Sequence, residues 1–125
     1  MCSRVGKIQP IKGLQMKWTL KLVLSSIIFF SIGVSAEVPT FTVDIRDHLF
    51  HPALLVVPAN TKVKLIVINN DASPEEFESY ELNREKVIMG GAKATIFIGP
   101  LAPGEYPFFG EFNPKTAQGL IRVEK

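Results

Sequence analysis

Five glutamates, Glu75, Glu76, Glu78, Glu81 and Glu85, fall within eleven residues, with Asp71 just before them and Glu111 after the apolar run Phe108-Phe109-Gly110. Carboxylates are hard oxygen ligands, so several of them converging would suit a hard, highly charged cation. Two histidines, His48 and His51, bracket Phe50, with Pro52 following, and Met89 stands before Gly90-Gly91. Imidazole is a common ligand for transition metals, and a thioether suits Cu(I). Each residue type also has an ordinary structural use: a charge run is often a solvated face, a loop histidine a cap, and a methionine in a β domain packing.

Other chemistries lack their residues. No serine stands in a Gly-x-Ser-x-Gly frame, no glycine-rich phosphate loop occurs, and His-Glu-x-x-His is missing. Catalysis, if the chain performs any, is metal-based, with ferrous iron oxidation the natural step for a carboxylate site. The single cysteine, Cys2, precedes the long apolar run, so nothing after it can form a disulfide or supply a thiolate.

The elements that must position these residues begin after a leader. Lys17 and Lys21 precede Leu22 to Ala36, an uncharged run too short for a comfortable bilayer span, which needs about 20 apolar residues. It ends in Val34-Ser35-Ala36. This order of basic, apolar and small residues predicts a signal peptide over 1–36, starting at Met1 or Met16 and cleaved after Ala36, and a mature domain over 37–125 that works in the periplasm. An uncleaved N-terminal anchor is the alternative, and it also places the domain outside the cytoplasm.

The leader holds five of the basic residues and no acid, which leaves nine basic against twelve acidic residues in Glu37 to Lys125, a net charge of −3. The basic pI of the whole chain therefore belongs to the leader and not to a nucleic-acid-binding surface. Cations are the expected small partners.

Within the mature part the hydrophobic period is two. Phe41, Val43 and Ile45 alternate with Thr42, Asp44 and Arg46, and Val63, Leu65 and Val67 alternate with Lys62, Lys64 and Ile66. Ala53 to Val57, a short segment around Phe77, Ala92 to Ile98, Tyr106 to Phe109 and Leu120 to Val123 complete about seven strands, separated by Pro, Gly and Asn turn signals. This spacing predicts an all-β antiparallel sandwich. Glu81 to Ile88 is the one stretch that reads as a helical turn or two.

The frame Phe50-x-Pro52, Val57-Pro58-Ala59-Asn60, Asn69-Asn70-Asp71, Leu101-x-Pro103-Gly104-Glu105-Tyr106-x-Phe108 and Gly119-Leu120-Ile121-x-Val123 resembles the cupredoxin family. The resemblance implies a Greek-key β-sandwich. It stops at the family's chemistry, which uses two histidines, a cysteine thiolate and a weak axial methionine. On the matching positions stand Glu75 for the early histidine, Gly110 for the thiolate, Asn113 for the second histidine and Ala117 near the methionine. No type 1 copper centre is expected, and a blue copper electron carrier is excluded.

A closer resemblance is to the cupredoxin-like periplasmic proteins that accompany bacterial iron permeases. It runs through Asp47-His48-x-Phe50-x-Pro52, Pro74-Glu75-Glu76-Phe77-Glu78-Ser79, Glu81 to Ile88, Gly90 to Thr95 and Pro107 to Phe112. That subgroup often carries a histidine where this chain has Asn113. The likeness implies an iron-uptake accessory that binds iron, oxidises it or delivers it, with an inner-membrane iron permease and other periplasmic components as partners. In the fold so implied, Glu75 or Glu76 approaches Glu111, with His48 and Glu78 as further ligands. Two alternatives stand beside it: a periplasmic copper-binding protein using His48, His51 and Met89, and a metal-free interaction module.

Overall fold

The computed structural model describes Gly6, Gly13, Ile28 and residues 30–125. The expected signal peptide lies largely outside the described residues; residues 30–39 carry no regular structure. The chain divides into two units, Met1–Val34 and Ser35–Lys125, and among the described residues every strand lies in the second.

Nine strands follow in order: β1 Thr40–Arg46, β2 Leu49–His51, β3 Leu54–Pro58, β4 Val63–Asn69, β5 Glu75–Ser79, β6 Arg84–Ile88, β7 Lys93–Ile98, β8 Gly104–Gly110 and β9 Gln118–Glu124. They form two sheets, β2-β1-β4-β7 and β3-β9-β8-β5-β6. The result is the expected cupredoxin-like Greek-key sandwich, with two strands more than the periodicity predicts. One is β2, three residues long and too short to show a period. It joins β1 through a two-residue turn, Asp47-His48, both at positive φ (52° and 59°), the geometry that matches the twist of paired strands.

The other is β6, and it corrects the helical reading of Glu81 to Ile88. Tyr80–Asn83 make the turn, and Arg84–Ile88 pair antiparallel with Glu75–Ser79. Arg84, Glu85 and Lys86 are sound helix formers, but β6 is an edge strand with four of its five residues exposed, so its ladder to β5 sets its conformation.

Alternation decides what each strand buries. In β4, Val63, Leu65, Val67 and Asn69 point inward, and in β1 Val43 and Ile45 do so. The core centres on three rings. Phe77 and Phe108 stack with centroids 5.0 Å apart, and Phe50 meets Phe108 edge-on at 4.9 Å. Full burial of one such ring contributes about 1.5–3 kcal/mol. Immediately beyond them along β5 and β8 lie Glu75 and Gly110, so the rings form the floor of the site.

Candidate metal centre

In β5 the sequence Glu75-Glu76-Phe77-Glu78-Ser79 alternates, so Glu75, Phe77 and Ser79 face inward and Glu76 and Glu78 outward. The acidic run thus splits between two faces of one sheet. Glu75 is buried, 1% exposed. Its Oε1 accepts the N–H groups of Glu76 (2.9 Å) and Phe112 (3.0 Å), and its Oε2 accepts Asn113 Nδ2 at 2.7 Å. Asn113 Nδ2 also lies 3.3 Å from His48 Nδ1, and as Nδ2 can only donate, the imidazole nitrogen accepts. Asp71 completes the network by accepting the N–H groups of Asp47 and His48, each at 2.9 Å. The His48 N–H bond, with the Asp47 N–H adding to it against a smaller opposing effect of burial, holds the Asp71 carboxyl below the usual aspartate range.

This end of the sandwich does not fit a type 1 copper ion. A Cβ on Gly110 would lie 2.7 Å from Glu75 Cδ, 2.9 Å from Glu75 Oε1 and 2.8 Å from the Ala117 Cβ. The room a thiolate side chain needs is filled by a carboxylate whose oxygens already carry three hydrogen bonds. None of Glu75, Gly110, Asn113 and Ala117 offers sulfur or imidazole, the ligands such an ion needs.

On the outer face the remaining acids converge. Glu78 pairs directly across from Glu85 on β6, and Glu76 lies two residues from Glu78 on the same side. One carboxylate oxygen from each of Glu76, Glu78 and Glu85 fits within 4.8 Å of the others, the one such group of three or more acids, histidines or cysteines among the described residues. Loss of hydration against the sheet raises the Glu78 pKa, and the Glu85, Glu76 and Glu111 carboxylates raise it further. Glu111 is exposed and tied to this face through its N–H, which donates to Glu76 O at 2.9 Å. An open hollow of about 410 Å³ adjoins the group, lined by Glu78, Ser79, Tyr80, Asn83, Arg84 and Glu85. Three carboxylates on an open face, two of them lining the hollow, can hold a divalent cation that keeps part of its water shell.

The other expected ligands lie apart from this face. His48 belongs to the Glu75 network, His51 is exposed on β2 opposite Asp44, and Met89 is 61% exposed just after β6. Glu81 is exposed in the turn before β6. The sequence reading missed Asn69, which is wholly buried. Its Nδ2 donates to Ser73 O (2.9 Å) and Ile88 O (3.0 Å), and its Oδ1 accepts the Asp71 N–H (3.0 Å). Asn69-Asn70-Asp71 reads as a turn, and the available clue was that β4's alternation places Asn69 on the inward face.

A family model described as Cupredoxin-like domain matches residues 19–123. The chain belongs to that family. This cupredoxin-like protein is 47% identical over 81 residues to an uncharacterized protein of Rickettsia prowazekii (strain Madrid E); the match takes in 65% of each, so the chain spans 65% of that relative's length. Among solved structures it is similar to auracyanin A, a "blue" copper protein from Chloroflexus aurantiacus, with a TM-score of 0.62 and 13% identity over 70% of this chain and 100% of that one. It is also similar to the metal binding domain of the Cu(I)-exporting P-type ATPase CopA of Streptococcus pneumoniae D39, with a TM-score of 0.59 and 15% identity over 69% of this chain and 85% of that one. At these identities the likeness to the cupredoxins is one of fold.

Proposed function

We propose that this cupredoxin-like domain is an exported, periplasmic metal-binding protein that serves iron uptake, taking ferrous iron on Glu76, Glu78 and Glu85, with Glu111 beside them, and passing it to an inner-membrane iron permease. The observation that carries the reading is the convergence of the three carboxylates within 4.8 Å on an accessible sheet face. Loss of hydration, with repulsion from the neighbouring carboxylates adding to it, raises the Glu78 pKa, and a bound cation relieves the repulsion. Hard oxygen ligands favour the higher charge of ferric iron, so iron held there is easier to oxidise. Export rests on the basic, apolar and small-residue order of the leader, and the iron cargo and the permease rest on the resemblance of Pro74 to Ser79 and Pro107 to Phe112 to permease-associated proteins.

Copper is the second reading. It is the metal of structural relatives such as auracyanin A and the CopA domain, and it would draw on His48, His51 and Met89.

Calorimetric titration of the chain with ferrous iron under anaerobic conditions and with Cu(II), in wild type and in Glu78→Gln/Glu85→Gln, separates the two. Ferrous heat that disappears in the double variant supports the carboxylate site. Cu(II) heat that survives it, with no ferrous response, supports the histidines instead. No heat with either metal leaves an interaction module.

A further inference from the structure

We infer that Glu75 is a positioning residue, a buried carboxylate that substitutes for a metal ion as the tie between β5 and the 110–117 loop and so fixes the outer acidic face. The inference rests on the proposed metal site for its functional half. A carboxylate this deep has lost its water and needs full compensation, and it receives it from three donors, one on β5 and two in the 110–117 loop. Two of them are N–H groups next to proposed ligands: Glu76 supplies one itself, and Phe112 follows Glu111 directly. The third, Asn113 Nδ2, carries the tie onward to the His48 turn.

The loop gains its remaining order from backbone bonds that start at the same place. Gly110 N–H donates to Ala117 O (2.8 Å), and Asn113 O accepts the N–H groups of Thr116 (3.2 Å) and Ala117 (2.9 Å). A Cβ at position 110 would meet both the Glu75 carboxyl group and the Ala117 methyl, so the glycine there is what admits the carboxylate. The same space cannot hold both this carboxylate and a side chain at position 110. Glu75 itself is turned away from Glu76 and Glu78 by the alternation of β5, so it acts on the cation site only through backbone.

Hydrogen-bond polarity supplies a test. Glu75→Gln sets an amide donor against the Asn113 amide donor, and Asn113→Asp sets a second carboxylate against the first. The double variant Glu75→Gln/Asn113→Asp restores one donor and one acceptor with unchanged net charge, and the new carboxylate also accepts from His48 in its Nδ1–H form. The full chain and its three variants are compared by amide hydrogen exchange without metal and by anaerobic ferrous titration, at a temperature where all are folded.

The expected result is that each single variant speeds exchange of the Glu76 and Phe112 amides about tenfold relative to β4 amides and weakens ferrous binding about tenfold, and that the double variant recovers both. Unchanged exchange in both single variants, or a double variant worse than either, overturns the tie. Lost protection with unchanged ferrous affinity overturns the positioning role and leaves a structural one. A wild-type chain that binds no ferrous iron overturns the functional reading and the positioning role with it, while the exchange results still decide whether Glu75 holds the loop.

Discussion

The carboxyl carbon of Glu75 lies 2.7 Å from the point where a Cβ on Gly110 would sit. Gly110 has ordinary backbone geometry, so only the missing side chain matters there. Gly110→Ala must therefore displace a hydrogen-bonded carboxylate or the Ala117 methyl, and overpacking of this kind costs about 1–3 kcal/mol. The expected outcome is a lower urea midpoint with an unchanged m-value. An unchanged midpoint would mean that Glu75 gives way freely, against the three bonds that hold it.

Glu78 makes stability depend on pH in the opposite sense to most carboxylates. Its folded pKa is raised, so its contribution is favourable at low pH and is lost as pH rises from the ordinary glutamate value of about 4.3 through the raised one. At neutral pH Glu78→Gln should unfold at a higher temperature than wild type, with the difference vanishing below that window. Saturating divalent cation should reverse the order. Thermal unfolding across pH, with and without cation, checks both halves.

Asp71 works in the usual direction. Its folded pKa is lowered, so the stability it contributes is present above the unfolded value of about 3.9 and is lost as pH falls through the folded one. Asp71→Ala removes the acceptor for two turn N–H groups and should cost about 1–2 kcal/mol at pH 7. Denaturant unfolding of the two proteins at neutral pH and near pH 3 should show the gap closing in acid.

Phe77→Ala removes the ring that stacks on Phe108, 5.0 Å away, beneath the site. Truncating a buried aromatic costs about 3–5 kcal/mol, a large part of the stability of a small domain. The readout is the denaturant midpoint, and a loss under 1 kcal/mol would show that the neighbouring rings collapse into the space.

The sandwich was legible wherever inward-facing apolar residues recur at every second position, as in Phe41-Val43-Ile45 and Val63-Leu65-Val67, because a period of two then marks both conformation and orientation. It failed at β6, where Arg84-Glu85-Lys86-Val87 has no buried face to impose a pattern and only pairing with β5 holds it extended. The candidate site was legible in composition but not in direction. Glu75 and Glu76 are chemically identical neighbours, and only the alternation through Phe77 sends one to the core and the other to solvent. Carrying that alternation outward from Phe77 would have separated them. Asn69 escaped for a related reason: a polar residue at the end of an apolar strand reads as a turn until its partners, Ser73 O and Ile88 O, are in place.

β1 pairs in parallel with β4, and β3 in parallel with β9 with Leu54 opposite Leu120. The second pairing spans most of the domain's sequence, so the five-stranded sheet lacks a bonded neighbour for β3 until β9 has been made. A chain emerging from its N-terminus must therefore leave Leu54 to Pro58 waiting, with Leu55 and Val57 uncovered, while about sixty further residues appear. Such high contact order slows folding and rules out piecemeal closure of the sandwich during synthesis. Under the proposed export, that delay would keep the chain pliable until it had crossed the membrane.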